Sequence, residues 1–225
     1  MNNISHEIRT PLNGILGFGH LLSEMDISKE DRERYFLRLQ KSSNRLLQTV
    51  NDYLKIAIIV SGMVEIKKEK FHLAYLVDEI KEMTRTHCLG KNLEPEFEIP
   101  AELYATEIYS AQNLISNILK ILVDNAVKFT QKEKVTFGIN SQEGVLEFFV
   151  RDTGKGIEKD MLHLIFDIFM QDDISNTRGY EGSGLGLAIA KGYADLLGGT
   201  LSVTSEIGVG STFYFRLPAN EVILT

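Results

Sequence analysis

The chain has 225 residues, enough for two modest domains, and 44% are hydrophobic, which permits a sizeable core and excludes global disorder. The net charge is -7 and no Lys/Arg-rich run interrupts the sequence, so nothing favours nucleic acid as a partner. The single cysteine, Cys88, excludes an intrachain disulfide framework and a multi-cysteine zinc site, and reads as a small buried hydrophobe.

Residues 1–66 read as two helices. The first runs to about Met25, with Ile8, Leu12, Ile15, Phe18 or Gly19, and Leu22 on one stripe. Ser28 is placed to cap the second, with Asp31 three residues on. Along that helix Phe36, Leu39, Ser43, Leu46, Val50, Tyr53 and Ala57 recur at spacings of three and four, the seam of a coiled coil or bundle. Two helices cannot bury such stripes alone. A symmetric dimer closing a four-helix bundle is expected, with packing on the second domain as the alternative. Residues 63–72 read as a connector. From Phe71 the pattern turns to mixed α and β. Strands are expected at Val135–Ile139, Leu146–Val150, Leu201–Val203 and Phe213–Leu217, and shorter ones at Phe97–Ile99 and Leu103–Ile108. Helices are expected at Ala74–His87, Ala111–Lys128 and Leu185–Leu197. The sum is an α+β sandwich with a largely antiparallel sheet and helices on one face. The longest apolar runs, Ile56–Val60 and Ile118–Val123, are far too short to span a bilayer, and no signal peptide is present. The start, a few residues before the first motif, reads as that of a piece cut from a longer protein.

Four stretches carry chemistry. In Ser5-His6-Glu7-Ile8-Arg9-Thr10-Pro11, a neutral imidazole is a nucleophile, and a neighbouring carboxylate can take its other proton. Pro11 removes a backbone donor and is expected to bend the helix. In Asn125-Ala126-Val127-Lys128-Phe129-Thr130, Asn125 offers an amide oxygen to a hard cation such as Mg²⁺. Lys128, three residues on, offers a point charge to a phosphate. In Asp152-Thr153-Gly154-Lys155-Gly156-Ile157, a carboxylate at a strand end can accept a hydrogen bond from an exocyclic amine, and the glycines admit a ligand close to the backbone. In Gly182-Ser183-Gly184-Leu185-Gly186-Leu187-Ala188-Ile189, small residues lead into a helix whose free amides suit an anion. This is neither a Walker loop nor a Rossmann fingerprint. A solvated helix face, a polar helix end, a plain turn and a flexible loop would account for each stretch singly. Between the last two, residues 158–181 carry Ile165–Gln171 and Arg178 in a long irregular segment, which reads as a lid.

In this order the stretches resemble the H, N, G1, F and G2 boxes of sensor histidine kinases of two-component systems, and the resemblance covers nearly the whole chain. It implies a dimerisation and histidine phosphotransfer hairpin over 1–66, forming a four-helix bundle as a homodimer. Over 67–225 it implies an α+β sandwich ATP-binding domain of the gyrase, MutL and histidine kinase type. The implied reaction is transfer of the ATP γ-phosphoryl to His6 and onward to an Asp of a response-regulator receiver domain. Carried over, Glu7 is the general base, Asn125 the Mg²⁺ ligand, Lys128 a phosphate contact and Asp152 the adenine acceptor. Phe129, Gly154, Gly156, Ile157, Gly182, Ser183, Gly184, Leu185, Gly186 and Thr212 shape the nucleotide pocket and its lid, and Arg178 steadies charge on the transferred phosphoryl. The His-Glu-x-x-Thr arrangement implies that Thr10 serves a phosphatase activity toward the regulator. The resemblance also implies a cytoplasmic portion of a parent that in this family is often anchored in the inner or plasma membrane.

The chain departs from the pattern at Ile121, one turn before Asn125, where the family usually places another Asn. Two alternatives follow. One is a degenerate kinase acting mainly as a regulator phosphatase or binding dimer. The other is a conformational ATPase of the same superfamily, against which Ile121 speaks, because it cannot activate water. His20, His72, His87 and His163 have no partner at metal-ligand spacing and read as structural or exposed.

Overall fold

The computed structural model describes residues 2–24, 26–142, 144–167 and 184–218. Two compact units divide at Ser61 and Gly62. The first is a helical hairpin of α1 (Asn2–Leu22) and α2 (Lys29–Val60). α1 stops short of Met25, where the Ser23 hydroxyl donates to the His20 carbonyl at 2.6 Å and draws a last carbonyl out of the helix ladder. Ser28 caps α2, accepting from the Asp31 amide at 3.0 Å and donating to its carboxylate at 2.9 Å. Such a cap stabilises a helix by about 1 kcal/mol. Gly14 lets the helices close, since a Cβ there would lie 2.5 Å from the Ser42 hydroxyl. Phe18 stacks on Tyr35 with ring centroids 6.1 Å apart.

The stripe expected on α2 resolves into two. Leu39 and Tyr53 are half-buried against α1, near Gly19 and Glu7. Leu47, Val50, Leu54 and Ile58 stand exposed at spacings of three and four, as do Leu12 and Leu16 on α1. Phe36 and Ala57, assigned to the same seam, are also exposed. This exposed apolar stripe needs a partner surface.

The second unit holds a five-stranded sheet in the order β2 (Glu94–Glu98), β4 (Lys134–Gln142), β5 (Val145–Asp152), β7 (Gly210–Leu217), β6 (Thr200–Glu206). Only β2–β4 is parallel. The strands alternate, so Val135, Phe137 and Ile139, then Leu146, Phe148 and Val150, then Phe213, Phe215 and Leu217 all turn inward and are buried. α3 (Leu73–Leu89), α5 (Gln112–Phe129) and α6 (Gly186–Leu196) pack on the sheet. Phe148 and Phe215 stack at 5.9 Å in this core, and each fully buried large side chain contributes about 1.5–3 kcal/mol. On the opposite face Phe149 lies over Gly138, where a Cβ would fall 2.1 Å from the ring, and Arg151 covers the ring at 5.3 Å.

Two expectations change. The strand expected at Leu103–Ile108 is a helical turn, α4 (Ala101–Tyr104), then β3 (Glu107–Ser110). Pro100 (φ -59°) sets the helical start, and the Thr106 hydroxyl donates to the Glu102 carbonyl at 2.8 Å. Part of the expected connector is a strand, β1 (Glu69–His72), antiparallel to β3. Among the described residues no helix is long and apolar enough to cross a membrane.

Candidate functional site

On α1, His6 is exposed. Thr10 lies one turn on, and its hydroxyl donates to the His6 carbonyl at 3.1 Å, which leaves its lone pairs free to accept from a ligand or water. Pro11 is buried inside the helix and supplies no N–H to the Glu7 carbonyl. Glu7 turns inward: its carboxylate pairs with Arg45 of α2 at 3.4 Å, and its side chain is only 13% exposed. Burial, with the Glu7 charge behind it, raises the nearby Tyr53 hydroxyl above its ordinary value.

In the second unit α5 presents Asn117, Ile121, Asn125 and Lys128, all half-buried, on the face expected from their spacing. Ile121 packs against the start of α6, where a Cβ on Gly186 would lie 3.4 Å from Ile121 Cγ2. That contact accounts for an apolar residue on a polar face. At the end of α5 the Lys128 ammonium is 4.8 Å and the Lys155 ammonium 5.7 Å from the centroid of the Phe129 ring. Two cations thus gather on one aromatic ring in a chain of net negative charge.

Asp152 ends β5 and is 5% exposed. Burial pushes its carboxyl from the ordinary 3.8 up to about 6, against the pull of backbone hydrogen bonds from Gly154 and Ser211. The Gly154 amide donates to Oδ1 at 2.8 Å. A carboxylate has about four lone-pair positions, so acceptor capacity remains for a ligand amine. Gly154 sits against the Phe129 carbonyl, which a Cβ would meet at 2.6 Å. The Thr153 hydroxyl accepts from the Lys134 amide at 3.2 Å. The turn after β5 is therefore tied to the start of β4 and packed against the end of α5.

Thr212 does not belong to this cluster. It pairs with Arg151 across β5 and β7, on the sheet face away from Asp152, whereas Ser211 pairs with Asp152 and is buried. Ser211 and Ser205 stand where Thr212 was expected. The Ser205 hydroxyl accepts from the Ile157 amide at 2.8 Å, donates to the Gly210 carbonyl at 2.8 Å and meets the Ser211 hydroxyl at 3.0 Å. Parity would have found Ser211: Phe213, Phe215 and Leu217 point inward, so Ser211 does and Thr212 does not.

Gly184 and the buried Leu185 precede α6, which Gly186 opens. Phe166 meets Phe213 edge-on at 6.4 Å. Arg178, Gly182, Ser183 and the 168–171 part of the expected F box lie outside the described residues. His87 has a partner, Asp124, at 2.9 Å. A cleft of about 350 Å³ at the other end of α5 is lined by residues that include Glu79 and Lys120, which pair with each other at 2.5 Å.

Residues 1–62 match the His Kinase A (phospho-acceptor) domain, and residues 110–221 match the histidine kinase-, DNA gyrase B- and HSP90-like ATPase. The autoinducer 2 sensor kinase/phosphatase LuxQ of Vibrio parahaemolyticus is 37% identical over 97% of this chain and 26% of that protein. The sensory/regulatory protein RpfC of Xanthomonas campestris pv. campestris is 33% identical over 96% of this chain and 30% of that protein. The chain thus spans about a quarter to a third of the length of these curated relatives. The crystal structure of full-length ShkA in complex with AMPPNP superposes with a TM-score of 0.75 at 30% identity, over 98% of this chain and 45% of that one. Histidine kinase ThkA in complex with response regulator protein TrrA shares the fold, with a TM-score of 0.73 at 21% identity over 96% of this chain and 60% of that one. The chain belongs to the sensor histidine kinases, with a phosphoacceptor helical hairpin followed by an ATPase domain of the gyrase B and HSP90 kind.

Proposed function

We propose that the chain is a protein-histidine autokinase, which moves the γ-phosphoryl of ATP to His6 and then to an Asp of a response-regulator receiver domain. One observation carries this reading. A buried carboxylate, Asp152, is held by backbone amides at a strand end, and cationic Lys128 and Lys155 gather on the Phe129 ring at the end of α5, in the same chain as an exposed imidazole on a helical hairpin. The family match, the AMPPNP complex of ShkA and the TrrA complex of ThkA support it.

In this reading Asp152 accepts the adenine amine, while Gly154, Gly156 and the Ile157 amide, tied to Ser205, keep the backbone close to the base. Gly184, Leu185 and Gly186 open the α6 N-terminus toward phosphate, and Lys128 meets the phosphates as a point charge. Gly182, Ser183 and Arg178 keep the lid and charge-steadying roles that the resemblance implies. Among the described residues no cluster of three His, Cys, Asp or Glu exists, so a fully protein-built metal cage is absent from them. That suits Mg²⁺, which keeps waters and phosphate oxygens and would take Asn125 as a protein ligand. The ion would neutralise charge on the phosphates. Glu7, as base, takes the second imidazole proton and must exchange Arg45 for His6 to do so. The exposed stripe of Leu47, Val50, Leu54 and Ile58 supports a homodimer closed through the hairpin. The fragment would work on the cytoplasmic side of a parent anchored in the inner or plasma membrane. Titration calorimetry with MgATP, followed by incubation of the phosphorylated chain with receiver domains, tests the reading. A chain that binds no adenine nucleotide, or binds it and never labels a receiver, contradicts it.

Thr10 would help place the water that hydrolyses the receiver phosphoryl. Thr10→Ala is expected to slow receiver dephosphorylation by about tenfold, the worth of one hydrogen bond, while autophosphorylation stays intact. Phosphate release from a prelabelled receiver measures it, and an unchanged rate removes Thr10 from that role.

A further inference from the structure

We infer that Lys91 is a positioning residue of the nucleotide site, holding the last turn of α5 so that Lys128 and Asn125 meet phosphate and metal. The inference rests on the nucleotide reading above. A helix leaves its last four carbonyls without intrahelical donors. In α5 these are the carbonyls of the turn that carries the phosphate-side residues. The Ala126 carbonyl is capped by the Thr130 amide at 3.1 Å and the Thr130 hydroxyl at 2.7 Å. The next two are capped from far away in the chain. The Lys91 ammonium donates to the Val127 carbonyl at 2.8 Å and to the Lys128 carbonyl at 2.9 Å. A cation at this end also complements the negative pole of the helix.

Lys91 is itself held. After α3 its amide donates to the Cys88 carbonyl at 3.0 Å, and Asn92 adopts φ 55° before the buried Leu93, whose amide donates to the same carbonyl at 3.0 Å. The Glu94 amide donates to the Glu133 carbonyl at 2.8 Å, joining this turn to the one after α5. His87 adds a second tie at Asp124, the neighbour of Asn125, at 2.9 Å. The turn after α3 and the end of α5 thus form one stapled unit. Lys91 reaches the backbone of Lys128 itself, and Lys128 is the side chain that would lose its aim if the turn frayed.

The contrast between ligands separates positioning from general stability. Lys128 and Asn125 serve the phosphate end, whereas Asp152 serves the base. In the full chain, at a temperature well below melting, Lys91→Met is expected to weaken MgATP binding by about five- to twentyfold by calorimetry, with stoichiometry unchanged. Adenosine binding, followed by NMR titration, should stay within about twofold, because no phosphate contact is involved. Lys91→Arg, which keeps a cationic donor, should restore most of the MgATP affinity. Unchanged MgATP affinity in Lys91→Met, or equal weakening of MgATP and adenosine, overturns the inference. If Lys91→Met does not fold, Lys91→Gln, which keeps an N–H donor without the charge, is read by the same contrast. A wild-type chain that binds no MgATP removes the nucleotide reading and this inference together. Wild-type binding with an indifferent Lys91→Met removes the inference alone.

Discussion

Asp152→Asn is expected to weaken MgATP binding by about 100-fold or more and, in the same molecule, to raise the melting temperature of the nucleotide-free chain. The first effect follows from polarity. Asn presents an NH₂ where the adenine amine needs an acceptor, so either a donor faces a donor or a buried group goes unpaired. The second follows from linkage. Burial lifts the Asp152 carboxyl from 3.8 to about 6, so the folded nucleotide-free domain favours the protonated form. The contribution of this group to stability is therefore full below the unfolded value of 3.8 and is lost as pH rises through about 6. At neutral pH the ionised, buried carboxylate costs about 3 kcal/mol relative to the unfolded chain. Asn removes that cost and keeps one acceptor oxygen for the Gly154 amide, while the weakened bond from the Ser211 backbone offsets part of the gain. A gain of about 1–3 kcal/mol, at about 2–4 °C per kcal/mol, is the expected result by calorimetric melting near pH 7.5. The same carboxyl sets a pH profile. Affinity in the wild type should fall by about tenfold per pH unit below pH 6, because only the ionised form accepts the adenine amine. The Asn variant should lack this slope. A variant that melts lower, or binds MgATP like the wild type, removes Asp152 from the proposed role.

Gly156→Ala carries the second large effect. Gly156 sits at φ +74°, and a Cβ there would lie 2.2 Å from the Glu206 carbonyl oxygen and 2.8 Å from Ile207 Cα. These are backbone atoms of the β6–β7 turn, which cannot rotate aside. The Gly208 amide donating to the Lys155 carbonyl at 2.9 Å ties that turn to the same loop. The left-handed backbone costs an alanine about 1 kcal/mol, and the overlap adds about 1–3 kcal/mol more. The melting temperature should fall by about 5–15 °C, and MgATP affinity by at least about tenfold, since Asp152 and Ile157 lie on either side of the strained link. Gly198→Ala is the control. Its φ is +66°, but a Cβ there meets nothing within 4 Å. It should show only the backbone penalty of about 1 kcal/mol and leave nucleotide binding unchanged. Equal effects of the two substitutions would mean that the loop contact has no special weight.

The parts of the fold legible in the sequence were those with long, regular apolar periodicity. α5 keeps its apolar positions at helical spacing for eighteen residues, and β4, β5 and β7 alternate, with β5 broken only at Phe149, which packs on the outer face. β1 was hidden because only Phe71 of its four residues is buried, too short an alternation to register. At 103–108 the apolar residues looked strand-like, but Pro100 sets a helical turn that pattern counting does not see. The α2 seam ran together two faces, because spacings of three and four cannot separate a stripe that meets α1 from one that faces outward.

The site was legible in its motifs and less so in its geometry. Asp152 was placed at a strand end by the run before it, and the structure puts it there, buried. Its upward-shifted carboxyl was not readable, since burial is a tertiary property. Thr212 was the wrong neighbour by one residue, an error that flips the side chain to the other face of the sheet. Lys91 and Ser205 carried no local signal. Each meets its partners across a turn or another strand, and nothing in the residue types nearby points to them.

In the proposed reaction His6 takes phosphate from ATP held by the downstream domain. Wild type and His6→Gln incubated side by side with γ-labelled ATP and Mg²⁺ test it most directly. Acid-labile, base-stable label is expected on the wild type and none on His6→Gln, with both proteins binding MgATP equally. Label that persists on His6→Gln, or that survives acid on the wild type, would contradict it.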